Sequence, residues 1–174
     1  MSCTAYTLSG LDKTCDLNKG GVSEIYIIPY DEITAVTVDE TSNKITGISF
    51  TSASTKFHKY YVRKNTAYFT STLNVTDKGG NYISTELYIQ FSRMETQKRI
   101  EMRALSLNDL AVIVKDANGL YWYLGYNEAV TASAGEGATG TNREDSNHYS
   151  ITLKDESDDF PYEVASSLIA SIIA

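Results

Sequence analysis

The chain has 174 residues, of which 42% are hydrophobic and only two are proline. This composition allows one domain with a packed core, formed without disulfides or metals, and argues against disorder. The formal net charge of -7 does not favour tight, sequence-independent wrapping of DNA, because such binding depends on Lys and Arg side chains that neutralise phosphates. We therefore predict a single domain over residues 1–174.

Residues 1–21 are predicted to form an N-terminal segment that ends at Gly20-Gly21. Cys3 and Cys15 within it have neither zinc-ligand nor redox-pair spacing, so we expect two reduced thiols. The segment lacks a basic stretch followed by an apolar run, and the chain contains no apolar stretch of bilayer length. We therefore expect neither a signal peptide nor a membrane partner.

The first predicted strands follow this segment. Residues 22–28 form an apolar, β-branched run closed by Pro29, which is typical of a buried strand. Weaker strands are predicted over 33–38 and 44–51, joined by a polar hairpin turn. A further strand is predicted over 56–63.

Two long strands give the clearest pattern in the sequence. Over 66–76 and again over 81–91, apolar and polar residues alternate, and a Gly-containing turn separates the two runs. A period of two over such lengths predicts antiparallel strands with one buried and one polar face.

A helix is predicted over residues 93–108. Ser92 and Glu95 have the spacing of a capping box, in which the hydroxyl and the carboxylate accept hydrogen bonds from free amides at the helix start. Apolar residues cover much of the remaining circumference. We therefore expect this helix to pack against a sheet.

The next part of the chain combines a tight hairpin with a long polar stretch. A strand at 110–114 and a partner at 120–126 are separated by Asn118-Gly119, a strong hairpin signal. Residues 128–146 are rich in Ala, Gly, Ser and Thr and are predicted to be one mobile loop. A strand around 149–153 and a solvated acidic turn over 155–159 complete this part.

The C-terminal residues 165–174 are apolar and uncharged, although chain ends are usually polar and frayed. Drawn as a helix, this arm collects its large aliphatic side chains on one half of the circumference. Two alternatives stay open: the arm docks on its own domain, or it forms an interface with a neighbouring subunit. The residues expected to make this contact are Val164, Leu168, Ile169, Ile172 and Ile173.

The sequence contains no recognisable catalytic constellation. His58 and His148 lie on predicted strands without metal-ligand neighbours, and no Ser occupies a nucleophile elbow. The glycine-rich stretch 134–141 lacks the Gly-Lys-Ser/Thr of a phosphate-binding loop. We therefore expect a non-enzymatic protein without metal or cofactor.

With this layout, the chain resembles the tail tube proteins of bacteriophages, whose subunits form stacked hexameric rings around a DNA channel. The resemblance rests on the long strands 66–76 and 81–91, the single helix from residue 93, the hairpin at Asn118 with its Tyr-Trp-Tyr strand, and the apolar arm. It is a resemblance of layout and involves no signature motif.

The resemblance implies a mainly β fold, an antiparallel β-sandwich or barrel with one flanking helix. It also implies that strands of neighbouring subunits join into a lumen that is acidic or neutral, so that DNA passes without specific binding. The partners would be copies of the chain and other virion tail proteins, in a virion protein made in the host cytoplasm. The expected lumen residues are Thr70, Thr72 and Glu86, and the expected ring contacts are Asp39, Glu40 and Asn43 in one hairpin and Glu136 and Arg143 in the 128–146 loop.

Two other functions stay open. One is another ring protein of the virion, such as a tail terminator, an adaptor or a head-completion protein. The other is a β-sandwich module that binds carbohydrate or a cell surface through Tyr121, Trp122 and Tyr123. Because Trp122 alternates in phase with Leu120 and Leu124, it is expected in the core, which weakens this second alternative.

Overall fold

The computed structural model describes residues 8–174 and is mainly β. The elements in chain order are β1 (Val22–Pro29), a 3-10 turn (Tyr30–Glu32), β2 (Ile33–Asp39), β3 (Lys44–Phe50), β4 (His58–Tyr61), β5 (Ala67–Val75), β6 (Asn81–Ser92), α1 (Thr96–Leu107), β7 (Leu110–Asp116), β8 (Tyr121–Leu124), β9 (Thr131–Ala138), β10 (His148–Ser157), β11 (Tyr162–Val164) and α2 (Ser166–Ile172).

The strands form two sheets. Sheet 1 has the order β2-β3-β11-β8-β7-β1-β4, and sheet 2 has the order β5-β6-β10-β9. All neighbours are antiparallel except β3 and β11. The mainly β prediction is confirmed, and since neither sheet closes into a barrel the architecture fits a sandwich.

The first hydrophobic core lies between the two sheets. Alternate residues of β6, including Leu87 and Ile89, pack with Ile151 and Leu153 of β10 against side chains of β1 and β7. These four side chains are 1% exposed or less. The alternation of apolar and polar residues over 81–91 therefore predicts correctly which side of β6 is buried.

The second core lies on the other face of sheet 1, which curls around it. The rings of Phe50 in β3 and Phe57 just before β4 are 6.0 Å apart, although four strands separate β3 from β4 in the sheet order. The large buried residues Tyr26, Tyr123 and Ile113 belong to this cluster. Sheet 1 is consequently apolar on both faces, which explains the continuous apolar runs of β1 and β7.

The C-terminal arm forms α2 and docks on its own domain. Val164, Ile169 and Ile172 are 1%, 5% and 2% exposed within the second core, and Leu168 and Ile173 pack against it. Of the two alternatives, the structure shows the arm docked on its own domain. These five residues are therefore not available as a subunit interface in this conformation.

The predicted capping box at the start of α1 is wrong. Ser92 is the last residue of β6, paired with His148, and Glu95 is the N-cap residue but makes no side-chain capping bond. Arg93 lies between them with a φ of 66°, a left-handed conformation that ends the strand. The cross-strand pairing of Ser92 takes it away from the helix, which begins three residues later than predicted.

The prediction of one loop over 128–146 is also wrong. Residues 131–138 form β9, which pairs with β10 along its whole length apart from a bulge. Residues 139–147, which include Arg143, form the connection between β9 and β10. Because β9 contains mainly small residues, its sequence does not alternate between hydrophobic and polar side chains, and this alternation is the pattern that predicts a strand.

The acidic stretch after residue 154 is not a solvated turn throughout, because β10 continues to Ser157. Asp155 is only 3% exposed and points between the sheets, where its Oδ2 accepts a hydrogen bond from the Gly125 N–H at 3.1 Å. Of the two cysteines, Cys15 is exposed, and Cys3 lies outside the described residues.

Candidate assembly surfaces

Sheet 2 has an outer face that no described element covers. Sheet 1 packs on the inner face of this sheet, and α1 packs on the inner side of β9 and β10. The outer face is built from the even-numbered residues of β5, β6 and β10, since registers such as Thr70↔Glu86 and Glu86↔Lys154 align them. It is a large surface of polar side chains and tyrosines, which include the stacked rings of Tyr68 and Tyr88.

The three predicted lumen residues lie together on this outer face. Thr70 is directly opposite Glu86, and Thr72 is opposite Ser84. These residues share a shallow depression of the face with Lys154. The structure thus brings the three predicted lumen residues together on one face.

The charges of the outer face are mainly negative. Its charged residues are Glu86, Glu136 and Glu156 against Lys154, whose Nζ lies 2.7 Å from Glu156 Oε1. Glu136 was expected in a ring-contact loop, but it lies on β9 opposite Ser150 and so belongs to this face. A surface of this composition repels phosphate groups.

The edge strand β5 is open. Gln90 N–H donates to Thr66 C=O and Thr76 N–H donates to Gly80 C=O, so the even-numbered residues of β5 hydrogen-bond with β6. Because hydrogen-bonding directions alternate along a strand, the odd-numbered residues, such as Leu73, turn their backbone groups outward. This edge contains no Pro, Lys or bulge that would block pairing.

The opposite edge, β9, is open in the same way. Arg93 N–H donates to Asn147 C=O, which directs the odd-numbered residues of β10 toward β6. The even-numbered residues of β10 therefore pair with β9, as in Ser150↔Glu136. Odd-numbered residues of β9 beyond the bulge, such as Gly135, consequently turn their backbone groups outward. This strand also contains neither Pro nor Lys.

Two apolar side chains stand exposed beside the β5 edge. Leu73 and Val75 belong to the inner face of sheet 2, but they are 54% and 69% exposed because β5 extends past the core at the hairpin tip. Exposed apolar residues next to an unpaired strand edge are typical of a surface that another chain covers.

The predicted ring contacts outside sheet 2 lie in the β2–β3 turn. The Asp39 carboxylate accepts hydrogen bonds from the N–H and the hydroxyl of Ser42, and these bonds lower the pKa of Asp39. Asn43 has a φ of 54°, which closes the turn, and Glu40 is exposed. The predicted hairpin is confirmed, while its role in ring contacts stays a prediction.

Tyr121, Trp122 and Tyr123 do not form a common platform. Tyr123 is buried in the second core and Tyr121 packs against the same core, whereas Trp122 points to the other side of the strand. Trp122 is half-buried, and its indole Nε1–H donates to Asp116 Oδ2 at 3.0 Å. A stacking surface for a sugar would need coplanar, exposed rings on one side.

Within residues 8–174, no group of three or more His, Cys, Asp or Glu side chains could hold a metal ion. No helix in the described part of the chain is long and apolar enough to cross a bilayer.

Compared with known proteins, the chain matches no family model, no curated protein and no solved structure. Its function is therefore inferred from its own residues and geometry.

The sequence alone did not reveal the β9 edge. Residues 131–138 are mainly Ala, Gly, Ser and Thr, so they contain no hydrophobic alternation that would mark a strand.

Proposed function

We propose that this protein is a structural virion subunit that assembles into rings or a tube forming a channel for DNA passage in a phage tail. One observation carries the proposal: sheet 2 has two long open edges, of which β5 contains no Pro, Lys or bulge, and an uncovered polar face between them. Such a sheet is incomplete by itself, because its edges are templates for pairing with further strands.

The topology favours joining β9 of one copy to β5 of the next. Sheet 2 has four strands that alternate in direction, so β5 and β9 run in opposite directions. In a ring with cyclic symmetry, β9 and the neighbour's β5 therefore meet antiparallel, and the alternation continues across every junction. The same two different edges are used at each junction, and this heterologous contact closes into a ring when the rotation permits.

A hexameric ring made in this way has room for DNA. At about 4.8 Å per strand, six four-stranded sheets give a circumference of roughly 115 Å and a diameter of about 37 Å, which strand tilt increases. The curvature that places sheet 1 and α1 outside turns the polar face toward the channel. There, Glu86 and Glu136 would repel phosphate groups and keep DNA from adhering.

Electron microscopy of the negatively stained, purified full chain tests the proposal, together with proline variants of each edge. We expect rings or tubes from the native chain. Gly135→Pro removes an outward N–H from β9, and Leu73→Pro does the same for β5. Neither variant should form β5–β9 rings or tubes, since proline is tolerated on an edge but cannot donate to a new partner.

Alanine variants provide matched controls. Gly135→Ala keeps the N–H, and its new Cβ would meet only ordinary contacts, the nearest being Ser150 O at 3.6 Å, so rings should persist. Leu73→Ala also keeps the N–H but removes the apolar side chain, so its comparison with Leu73→Pro separates the loss of the donor from the loss of the side chain. Mixing the two proline variants leaves one intact β9 edge and one intact β5 edge, which should restore a single β9–β5 junction per pair of chains and no closed ring. A native chain that stays monomeric at high concentration would refute the proposal.

Another ring protein of the virion would use the same edges and the same polar face. The images separate the two functions, because a tube subunit stacks into tubes whereas a terminator or adaptor gives single rings. The Tyr121–Tyr123 stretch does not favour a carbohydrate-binding module, because its rings do not share one exposed side.

A further inference from the structure

A second open sheet edge lies far from sheet 2, at β4. This strand is the last one of sheet 1 and pairs only with β1 among the described residues. Just before it, Phe57 N–H donates to Ile172 C=O at 2.8 Å, and Ala174 N–H donates to Phe57 C=O at 3.0 Å. The chain that follows α2 thus already occupies the first position of this edge as an added parallel strand.

The remaining positions of this edge have no strand partner. Backbone directions alternate along a strand, so Lys59 and Tyr61 turn their N–H and C=O groups to the same side as Phe57. No described strand pairs with them there. The Tyr61 side chain is 80% exposed.

A cleft runs between this edge and α1, and we call it the β4–α1 groove. It encloses about 530 Å³, a volume within the range of ligand sites. The groove is lined on one side by Tyr60, Tyr61 and Phe91, among other residues, and on the other side by Gln97, Lys98 and Glu101 of α1.

Hydrogen bonding and ring packing hold the two walls of the groove in place. Tyr60 Oη–H donates to Glu101 Oε2 at 2.9 Å, which connects the strand to the helix. The rings of Tyr60 and Phe91 lie 6.1 Å apart at the most buried part of the groove. An open strand edge beside a helix is the arrangement into which extended peptides add as a further strand.

The chain also contains a segment outside both sheets, residues 8–18. Leu8, Leu11 and Leu17 are 100%, 102% and 87% exposed, and residues 8–18 form no helix or strand. In an extended conformation, Leu11, Cys15 and Leu17 lie on one side together with Lys13, and Leu8 lies on the other side. Burial of these leucines against a partner surface would remove apolar area from water.

The segment does not reach its own groove in this structure. Lys19 N–H donates to Asn118 Oδ1 at 2.8 Å, and Asn118 Nδ2–H donates to Asn18 Oδ1 at 3.0 Å. These bonds tie the segment to the β7–β8 turn, whereas the groove lies beyond β4 on the other side of β1.

We propose that residues 8–18 of one copy add as a strand to β4 in the groove of a second copy. Each copy offers one segment and one groove, so the stoichiometry is satisfied in a chain of copies or in a closed ring. The inference rests on the proposed self-assembly because its occupant is a second copy, but it concerns a different surface from the β5–β9 junction.

Cross-linking of the full chain tests this contact. In a Cys3→Ser background, Gln97→Cys places a thiol at the groove, and a short bis-maleimide should join it to Cys15 of another copy. We expect covalent dimers and higher multiples on a denaturing gel, at least fivefold more than from Asp77→Cys, an equally exposed control in the β5–β6 turn.

Edge and segment variants should remove the cross-link selectively. Tyr61→Pro deletes the outward N–H and should abolish the dimers, while Tyr61→Ala keeps the N–H and should retain them. The double variant Leu11→Asp/Leu17→Asp should also abolish them without affecting the folded body. Dimers no more abundant than with the Asp77→Cys control, or cross-links formed within one chain, would overturn the inference.

Imaging of the same samples separates this inference from the proposed function. Rings without the cross-link would refute the groove contact and leave the β5–β9 junction standing. Cross-linked dimers without rings would support the groove contact and count against the tail-tube proposal.

Discussion

Truncating Ile172 to alanine should destabilise the monomer measurably. Ile172 is 2% exposed in the second core, so the substitution removes three methyl or methylene groups from a packed site. Such changes cost about 2–5 kcal/mol. Because α2 has seven residues and lies near the chain end, it can shift to fill part of the cavity, and we expect about 3 kcal/mol.

This loss should appear as a lower melting temperature. For a chain of this size, 1 kcal/mol corresponds to roughly 2–4 °C, so the midpoint should fall by about 6–12 °C. Circular dichroism or calorimetry on dilute protein measures it, with Ser167→Ala on the exposed side of α2 as the matched control. The control should melt within about 2 °C of the native chain.

The result also separates intrachain from intersubunit docking. If the arm docks on its own domain, the loss is the same at low and high protein concentration, because no association is involved. A native melting temperature for the Ile172→Ala monomer would refute the packing described for α2. A deficit that appears only at high concentration would mean that the arm docks on a neighbour.

Two further predictions concern buried and exposed charge. Burial raises the pKa of Asp155, and its Oδ1 has no hydrogen-bond partner among the described residues. The folded state therefore favours the protonated carboxyl. The stability of the fold that depends on this proton is fully present below the unfolded pKa of Asp155 and is lost as the pH rises through its folded pKa. Asp155→Asn should therefore stabilise the protein by about 1–3 kcal/mol near neutral pH, an advantage over the native chain that denaturant titrations should find shrinking toward about pH 4. In assembled rings, Glu86→Lys with Glu136→Lys should make the polar face retain duplex DNA, with binding that weakens steeply as salt increases, as a filter-binding assay would measure; salt-independent retention, or none, would contradict the placement of this face in the channel.

Where the two sides of an element differ in hydrophobicity, the fold could be predicted from the sequence. The alternation over 66–76 and 81–91 corresponds to β5 and β6, and the apolar run before Pro29 corresponds to β1. The aliphatic half of the C-terminal arm corresponds to the buried side of α2. In each case, the buried positions repeat with the period of the element that they form.

Elements without such a contrast were missed or misjudged. Strand β9 consists mainly of Ala, Gly, Ser and Thr, and its conformation depends on hydrogen bonds with β10 rather than on its own side chains. Ser92 has the local spacing of a helix cap, but its pairing with His148 extends β6 and outcompetes the cap. Asp155 belongs to an acidic run, yet the register of β10 turns its side chain between the sheets.

The candidate assembly surfaces divide in the same way. The sequence by itself determined that the chain is a mainly β domain and that Thr70, Thr72 and Glu86 occupy the polar side of their strands, because side-chain direction along a strand is a local property. Only the tertiary structure decided that β5 and β9 are the open edges of one sheet, that Glu136 shares its polar face, and that the C-terminal arm lies on its own domain. Strand order and docking depend on contacts between residues far apart in the chain, which no local pattern encodes.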